Sequence, residues 1–253
     1  MKVKIVSAWS NPGGSTIHHI GLTNLLNDNG YDCTFYGPHE WHMKKCKSDH
    51  IANCRIEEDD TLISHFCKIP QVKAKKHILS CHETNLFPLQ ECETSEYDLI
   101  QYVSNYQKDW HGVDTPNTII PPRVEKISWT SPKNNVAGVI GSIDEHKQTH
   151  KAIEMALADG FEKVLLFGQI TDLPYFSDFV QPLVGKVEVR NHQDDKEAMY
   201  GSVEAVYHAS KRETYGLVEA ECKLSGVPYR GKENNPEILS DEEILERWET
   251  ILK

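Results

Sequence analysis

Glu213 and Glu221 stand with seven residues between them in Glu213-Thr214-Tyr215-Gly216-Leu217-Val218-Glu219-Ala220-Glu221. Residues 203–209, just before, read as a buried strand, and Ser210 to Glu213 as an exposed turn. From Thr214 the pattern is helical, because Leu217, Ala220 and Leu224 share one face. Gly226 supplies a left-handed stop and Pro228 bars continuation. Such a strand, turn and helix suits a nucleoside diphosphate. The amides of Tyr215, Gly216 and Leu217 lie at the positive end of the helix, where they can take phosphate oxygens. Gly216 lets an anion approach the backbone closely. Glu221, on the helix flank, could accept both hydrogens of a ribose diol, and Glu213 would face whatever lies beyond the phosphates.

Those residues need a scaffold, and the chain supplies an alternation of strands and helices. Residues 2–8 read as a buried strand, followed by a loop with Gly13 and Gly14, a helix through Ile17 to Leu26, and a second strand at 32–36. Glycines in the first turn of a βαβ unit are the doubly wound α/β pattern, although the dinucleotide fingerprint is absent. Short apolar strands follow at 61–66, 76–81 and 99–104, and a polar stretch at 131–135 reads as a linker. A second series then begins: strands at 136–140, 163–167 and 186–189, with helices at 149–158 and 194–200. The expectation is two Rossmann-like domains, 1–124 and 125–253, with ligand at the carboxyl ends of the strands. A last helix begins at a capping box, Ser240 to Glu243, and carries Ile244, Leu245, Trp248, Ile251 and Leu252. It could close the second domain or pack back on the first.

The two glutamates at this spacing, the Glu-aromatic-Gly turn and the Gly226-Val227-Pro228 stop resemble the Glu-x7-Glu motif of retaining glycosyltransferases of the large family four. The resemblance implies the GT-B fold, two facing Rossmann-like domains with a ligand cleft between them. It implies transfer of a sugar from a nucleotide-diphosphate donor to an acceptor hydroxyl, with retention and without a metal or other cofactor. The donor would bind mainly the second domain and the acceptor the first. Glu213 and His82 take the catalytic positions, His82 beside the donor sugar. Gly13, Gly14, Lys147, Tyr215, Gly216, Leu217 and Glu221 take the donor-binding ones. One departure stands out: Ser142 occupies the place where the family has an arginine on the diphosphate.

Other groups could carry chemistry but lack support. His39, His42 and Cys46 want a fourth metal ligand. His65 and His192 read as strand-end and loop histidines, and Lys44, Lys45 and Lys47 near Trp41 as a solvated basic cluster. The net charge of −11 argues against strong binding to unmodified DNA. No apolar run approaches the ~18 residues of a membrane span. Seven scattered cysteines and the absence of a leader point to a reduced, cytoplasmic setting. Two other functions remain open: a non-catalytic binder of sugar nucleotides, and an enzyme that glycosylates modified bases in DNA.

Overall fold

The computed structural model describes residues 1–10, 12–67, 69, 73–83, 94–183 and 185–253. Asn11 of the first loop lies outside the described residues. The chain forms two compact units, one of Met1–Arg123 with Glu237–Lys253 and the other of Val124–Pro236.

The first unit runs β1 (Lys2–Ser7), α1 (Gly14–Asp28), β2 (Asp32–Gly37), β3 (Ser48–His50), β4 (Thr61–His65), β5 (Lys76–Cys81), β6 (Leu99–Tyr102), α2 (Asn105–His111) and β7 (Asn117–Ile119). Its strands pair in parallel in the order β3-β2-β1-β4-β5-β6-β7. Every residue of β4 is buried, as a central parallel strand covered on both faces must be. Val3, Ile5, Phe35 and Ile63 of the sheet pack with Ile20, Leu25 and Leu26 of α1. The register sets Ser7 opposite His65, so polar side chains collect where these strands end.

The second unit runs β8 (Val136–Ile140), α3 (Thr149–Ala158), β9 (Lys163–Phe167), α4 (Leu173–Tyr175), β10 (Val187–Val189), α5 (Lys196–Gly201), β11 (Ala205–His208), α6 (Leu217–Ser225) and β12 (Tyr229–Gly231). Its parallel order is β10-β9-β8-β11-β12. Ala152, Ile153 and Ala156 of α3 pack with Val139, Val164, Leu166 and Tyr207, while Met199, Tyr200 and Cys222 of α5 and α6 pack with Leu165, Phe167 and Val206.

The last helix, α7 (Asp241–Leu252), corrects the expected domain of 125–253. The capping box forms, with Ser240 Oγ accepting from the Glu243 amide at 3.2 Å and Glu243 Oε2 from the Ser240 amide at 2.8 Å. Ile244, Trp248, Ile251 and Leu252 are then buried in the same cluster as Val3 and Leu26. Burying those apolar side chains, at roughly 1.5–3 kcal/mol each, ties α7 to the first unit.

Candidate functional site

In the second unit, three loops at strand ends are fastened together. Gly141, at φ 136°, donates its amide to Phe167 O at 2.9 Å, and Ile143 donates to Gln169 O at 2.8 Å. The loop after β8 therefore lies against the loop after β9. A Cβ on Gly168 would sit 1.8 Å from Gly141 O, so that approach requires glycine. On the other side, the Lys211 amide donates to His146 O at 3.0 Å, and His146 Nε2 lies 2.9 Å from Arg212 O. Asp144 accepts from the Lys147 amide at 2.8 Å and from Ser142 Oγ at 2.5 Å. Ser142, found where a cation was expected, thus serves the turn that presents Lys147.

This clamping brings Lys147 and Glu213 together. Lys147 Nζ donates to Glu213 Oε1 at 2.6 Å, and the side chains stay 26% and 16% exposed. His208, the last residue of β11, places Nε2 3.3 Å from the same oxygen. Burial alone would raise the Glu213 carboxyl. The hydrogen bond from His208 and the charge of Lys147 outweigh it and bring the pKa down to about 2. Glu213 is therefore a fixed anion at neutral pH. His208 was not anticipated; its only signal in sequence is that a histidine ends a buried parallel strand, the end where α/β folds bind ligand.

Helix α6 begins at Leu217 rather than Thr214. Gly216 opens it at φ 90°, and no side chain caps it. Tyr215 is buried beside this start. The helix ends at Gly226, φ 75°, as expected. Its buried face, however, comprises Glu219, Ala220, Glu221 and Cys222. The carboxylates can be inside because each has partners. Glu219 accepts from the Asn234 and Asn235 amides at 2.7 and 3.1 Å and from Lys223 at 2.7 Å.

Glu221 is 3% exposed; Tyr200 OH donates to one of its oxygens and Lys196 Nζ to the other, both at 2.6 Å. Burial opposes the Lys196 ammonium, but the Glu221 carboxylate more than compensates and raises its pKa. The open flank suggested by the spacing is thus filled by α5.

In the first unit, Gly13 and Gly14 open α1, a 15-residue helix with no side-chain cap and no acid in its first turn. His82, after β5, lies among histidines: its ring centroid is 4.6 Å from that of His18, 5.0 Å from His19 and 5.3 Å from His65. His82 Nε2 is 3.1 Å from Ser80 Oγ, and His65 Nε2 is 3.0 Å from Glu83 Oε1. Burial drives the His82 pKa well below its usual range, so the ring is neutral. The pair His18-His19, hidden inside an apolar helix pattern, was also unanticipated. Among the described residues, His39, His42 and Cys46 do not form a group close enough to share a metal, whereas His18, His19 and His82 do.

No protein-family model and no curated protein matches the chain. Solved structures do. Anabaena HepE in complex with UDP-glucose is 14% identical, with a TM-score of 0.67 over all of this chain and 90% of its own. WaaG, a glycosyltransferase involved in lipopolysaccharide biosynthesis, is 12% identical at a TM-score of 0.64, over 99% and 90%. An alpha-glucosyltransferase solved with UDP and a 13-mer DNA containing an A:G mismatch is 14% identical at 0.63, over 100% and 90%. At these identities the likeness shows the fold: two Rossmann-like domains of the GT-B type. Among the described residues, no helix is long and apolar enough to cross a membrane.

Proposed function

We propose that the chain is a glycosyltransferase that moves a sugar from a nucleoside-diphosphate donor to an acceptor hydroxyl, with retention of anomeric configuration. The observation that carries this is the cluster of Lys147, Glu213 and His208, held by clamped loops in the unit that also contains the uncapped start of α6. Structural neighbours solved with UDP or UDP-glucose support the same chemistry.

In this reading Lys147 and the amides of Gly216 and Leu217 receive the diphosphate. As the bond between the anomeric carbon and the phosphate oxygen breaks, the electron pair leaves on that oxygen. Fixed positive groups stabilise it without reorganising. Glu213 holds the Lys147 ammonium in place and sets negative charge near the sugar, where positive charge develops. The acceptor hydroxyl attacks from the face the diphosphate leaves and passes its proton to the departing phosphate oxygen, and no side chain serves as nucleophile. Lysine and helix amides supply the charge, so diphosphate binding needs no divalent ion. His82 is the candidate on the sugar side. Glu221 can reach a ribose only after Lys196 or Tyr200 yields, so its first role is to anchor α6 on α5. A cytoplasmic setting belongs to the same proposal.

A thermal-shift panel of UDP, GDP and ADP in the presence of a chelator, followed by donor turnover with each hit, tests this. At a hundredfold excess over Kd, linkage gives about 2.7 kcal/mol of stabilisation. No shift with any nucleoside diphosphate would contradict it, and binding without transfer or donor hydrolysis would reduce the protein to a sugar-nucleotide binder. The neighbour solved with DNA makes a base-directed transferase the second reading. The charge of −11 opposes it, and tight duplex binding that falls steeply with salt would favour it.

A further inference from the structure

We propose that His18, His19 and His82 form a binding site for one divalent transition-metal ion, with Zn²⁺ as the reference ion and the fourth position left to an oxygen ligand. One ring nitrogen of each lies within 4.8 Å of the others. Tetrahedral zinc with nitrogen bonds of ~2.0–2.1 Å sets its ligand nitrogens ~3.3 Å apart, so modest ring rotations close the set.

Hydrogen bonds around the cluster fix which nitrogens are bare. Gln101 Nε2 donates to Tyr102 O at 3.0 Å and to Ile120 O at 2.7 Å, leaving Gln101 Oε1 as an acceptor. Ser80 Oγ donates its single hydrogen to that oxygen at 2.7 Å. The Ser80 oxygen must therefore accept from its other two neighbours, His19 Nε2 at 3.2 Å and His82 Nε2 at 3.1 Å. Both rings carry their proton on Nε2, and in the neutral state both lone pairs sit on Nδ1. A hydroxyl that orients two imidazoles in one tautomer is the outer-shell arrangement metal-ligating histidines use.

The orphaned atoms point the same way. Among the described residues, His19 Nδ1 and both nitrogens of His18 are buried without a hydrogen-bond partner, in residues 0% and 3% exposed. An unsatisfied buried polar atom costs roughly 1–3 kcal/mol, and a metal ion removes that cost. Neutral imidazole is the ligating form. Three imidazoles without thiolate or carboxylate suit zinc, copper, nickel or cobalt rather than magnesium or calcium. His82 is only half-buried, so the open position lies on its side. The site stands independently of the transferase reading.

The experiment uses the full chain without a polyhistidine tag, stripped with chelator and titrated with Zn²⁺ and with Co²⁺. One ion per chain is expected, with an intense visible cobalt band and a rise in Tm. His18→Ala should weaken Zn²⁺ about a hundredfold or more, and Ser80→Ala about 10–100-fold through lost orientation. If His18→Ala does not fold, long-range proton–nitrogen spectra of the wild type decide, by a shift of one ring nitrogen in each of His18, His19 and His82 on adding Zn²⁺. Millimolar binding, binding unchanged in a folded His18→Ala, or unmoved ring nitrogens would each overturn the proposal. UDP binding would survive any of these failures.

Discussion

The two sheets end in opposite electrostatics. The first collects imidazoles that burial holds neutral, His19 and His82, both hydrogen-bonded to the Ser80 hydroxyl. The second collects ion pairs: Lys147 with Glu213, Lys196 with Glu221, Lys223 with Glu219. One fold plan thus builds a polarisable, uncharged strand-end cluster in one unit and a fixed charge array in the other. Within the second unit the pairs differ again. The Lys147–Glu213 pair is partly exposed, so it is available to a ligand, whereas Glu221 is sealed beneath α5.

The largest expected effect separates those two glutamates. Glu221→Ala leaves the Tyr200 hydroxyl buried without its acceptor and Lys196 with Glu125 alone, 3.1 Å away, and breaking such a buried pair costs about 3–5 kcal/mol. Denaturant unfolding should show this loss, and the apolar double variant Glu221→Leu, Lys196→Met should recover most of it. A folded Glu221→Ala with wild-type stability would show that Glu221 is not the anchor of α6.

Next comes the ligand-facing charge. Lys147→Ala removes a charge-assisted contact worth roughly 1.5–3 kcal/mol, so UDP affinity should fall about tenfold to a hundredfold. Uridine affinity should hardly change, and calorimetric titration of both ligands measures the split. An equal loss for both would place Lys147 away from the diphosphate.

Most of this organisation was legible in sequence, and the gaps have physical causes. Inner strands are covered on both faces, so 136–140 and 163–167 announce themselves as apolar runs. Edge strands do not: Ser48–His50 and Tyr229–Gly231 are three residues each and only half-buried, so backbone pairing alone defines them. Helix α2 is short and exposes Tyr106 and Trp110, which blurs its periodicity. At the site, the glycine stops follow from local patterns, whereas Lys147 and Glu213 are singled out by the motif resemblance. The partners of Glu221 lie 21 and 25 positions away on α5, and no local pattern reports them. His208 is equally silent, because a strand-end histidine gains meaning only when the next loop returns a carboxylate to it.

The smallest effect is a difference in acid response. Burial pushes His77, between β4 and β6, from 6.5 down to about 4. Its neutral ring contributes stability that is full above pH 6.5 and is lost as pH falls through 6.5 towards 4. Between pH 7 and 5.5 this removes about 1 kcal/mol. The Glu213 carboxylate contributes above 4.5 and loses its share only between 4.5 and about 2. Hydrogen exchange across that range should therefore loosen the first unit before the second. Simultaneous loosening near pH 6 would mean that the charge array is not the acid-resistant half.

The central claim is that Glu213, held against Lys147 and His208, acts on the departing sugar. Glu213→Gln tests it most directly, because the amide keeps an oxygen for Lys147 and removes only the charge. Steady-state donor turnover and UDP titration are measured on the folded variant beside the wild type. The account predicts a kcat lower by about a hundredfold, or ~2.7 kcal/mol in the barrier, with UDP affinity within about threefold. Unchanged turnover, or an affinity loss as large as the rate loss, would contradict it.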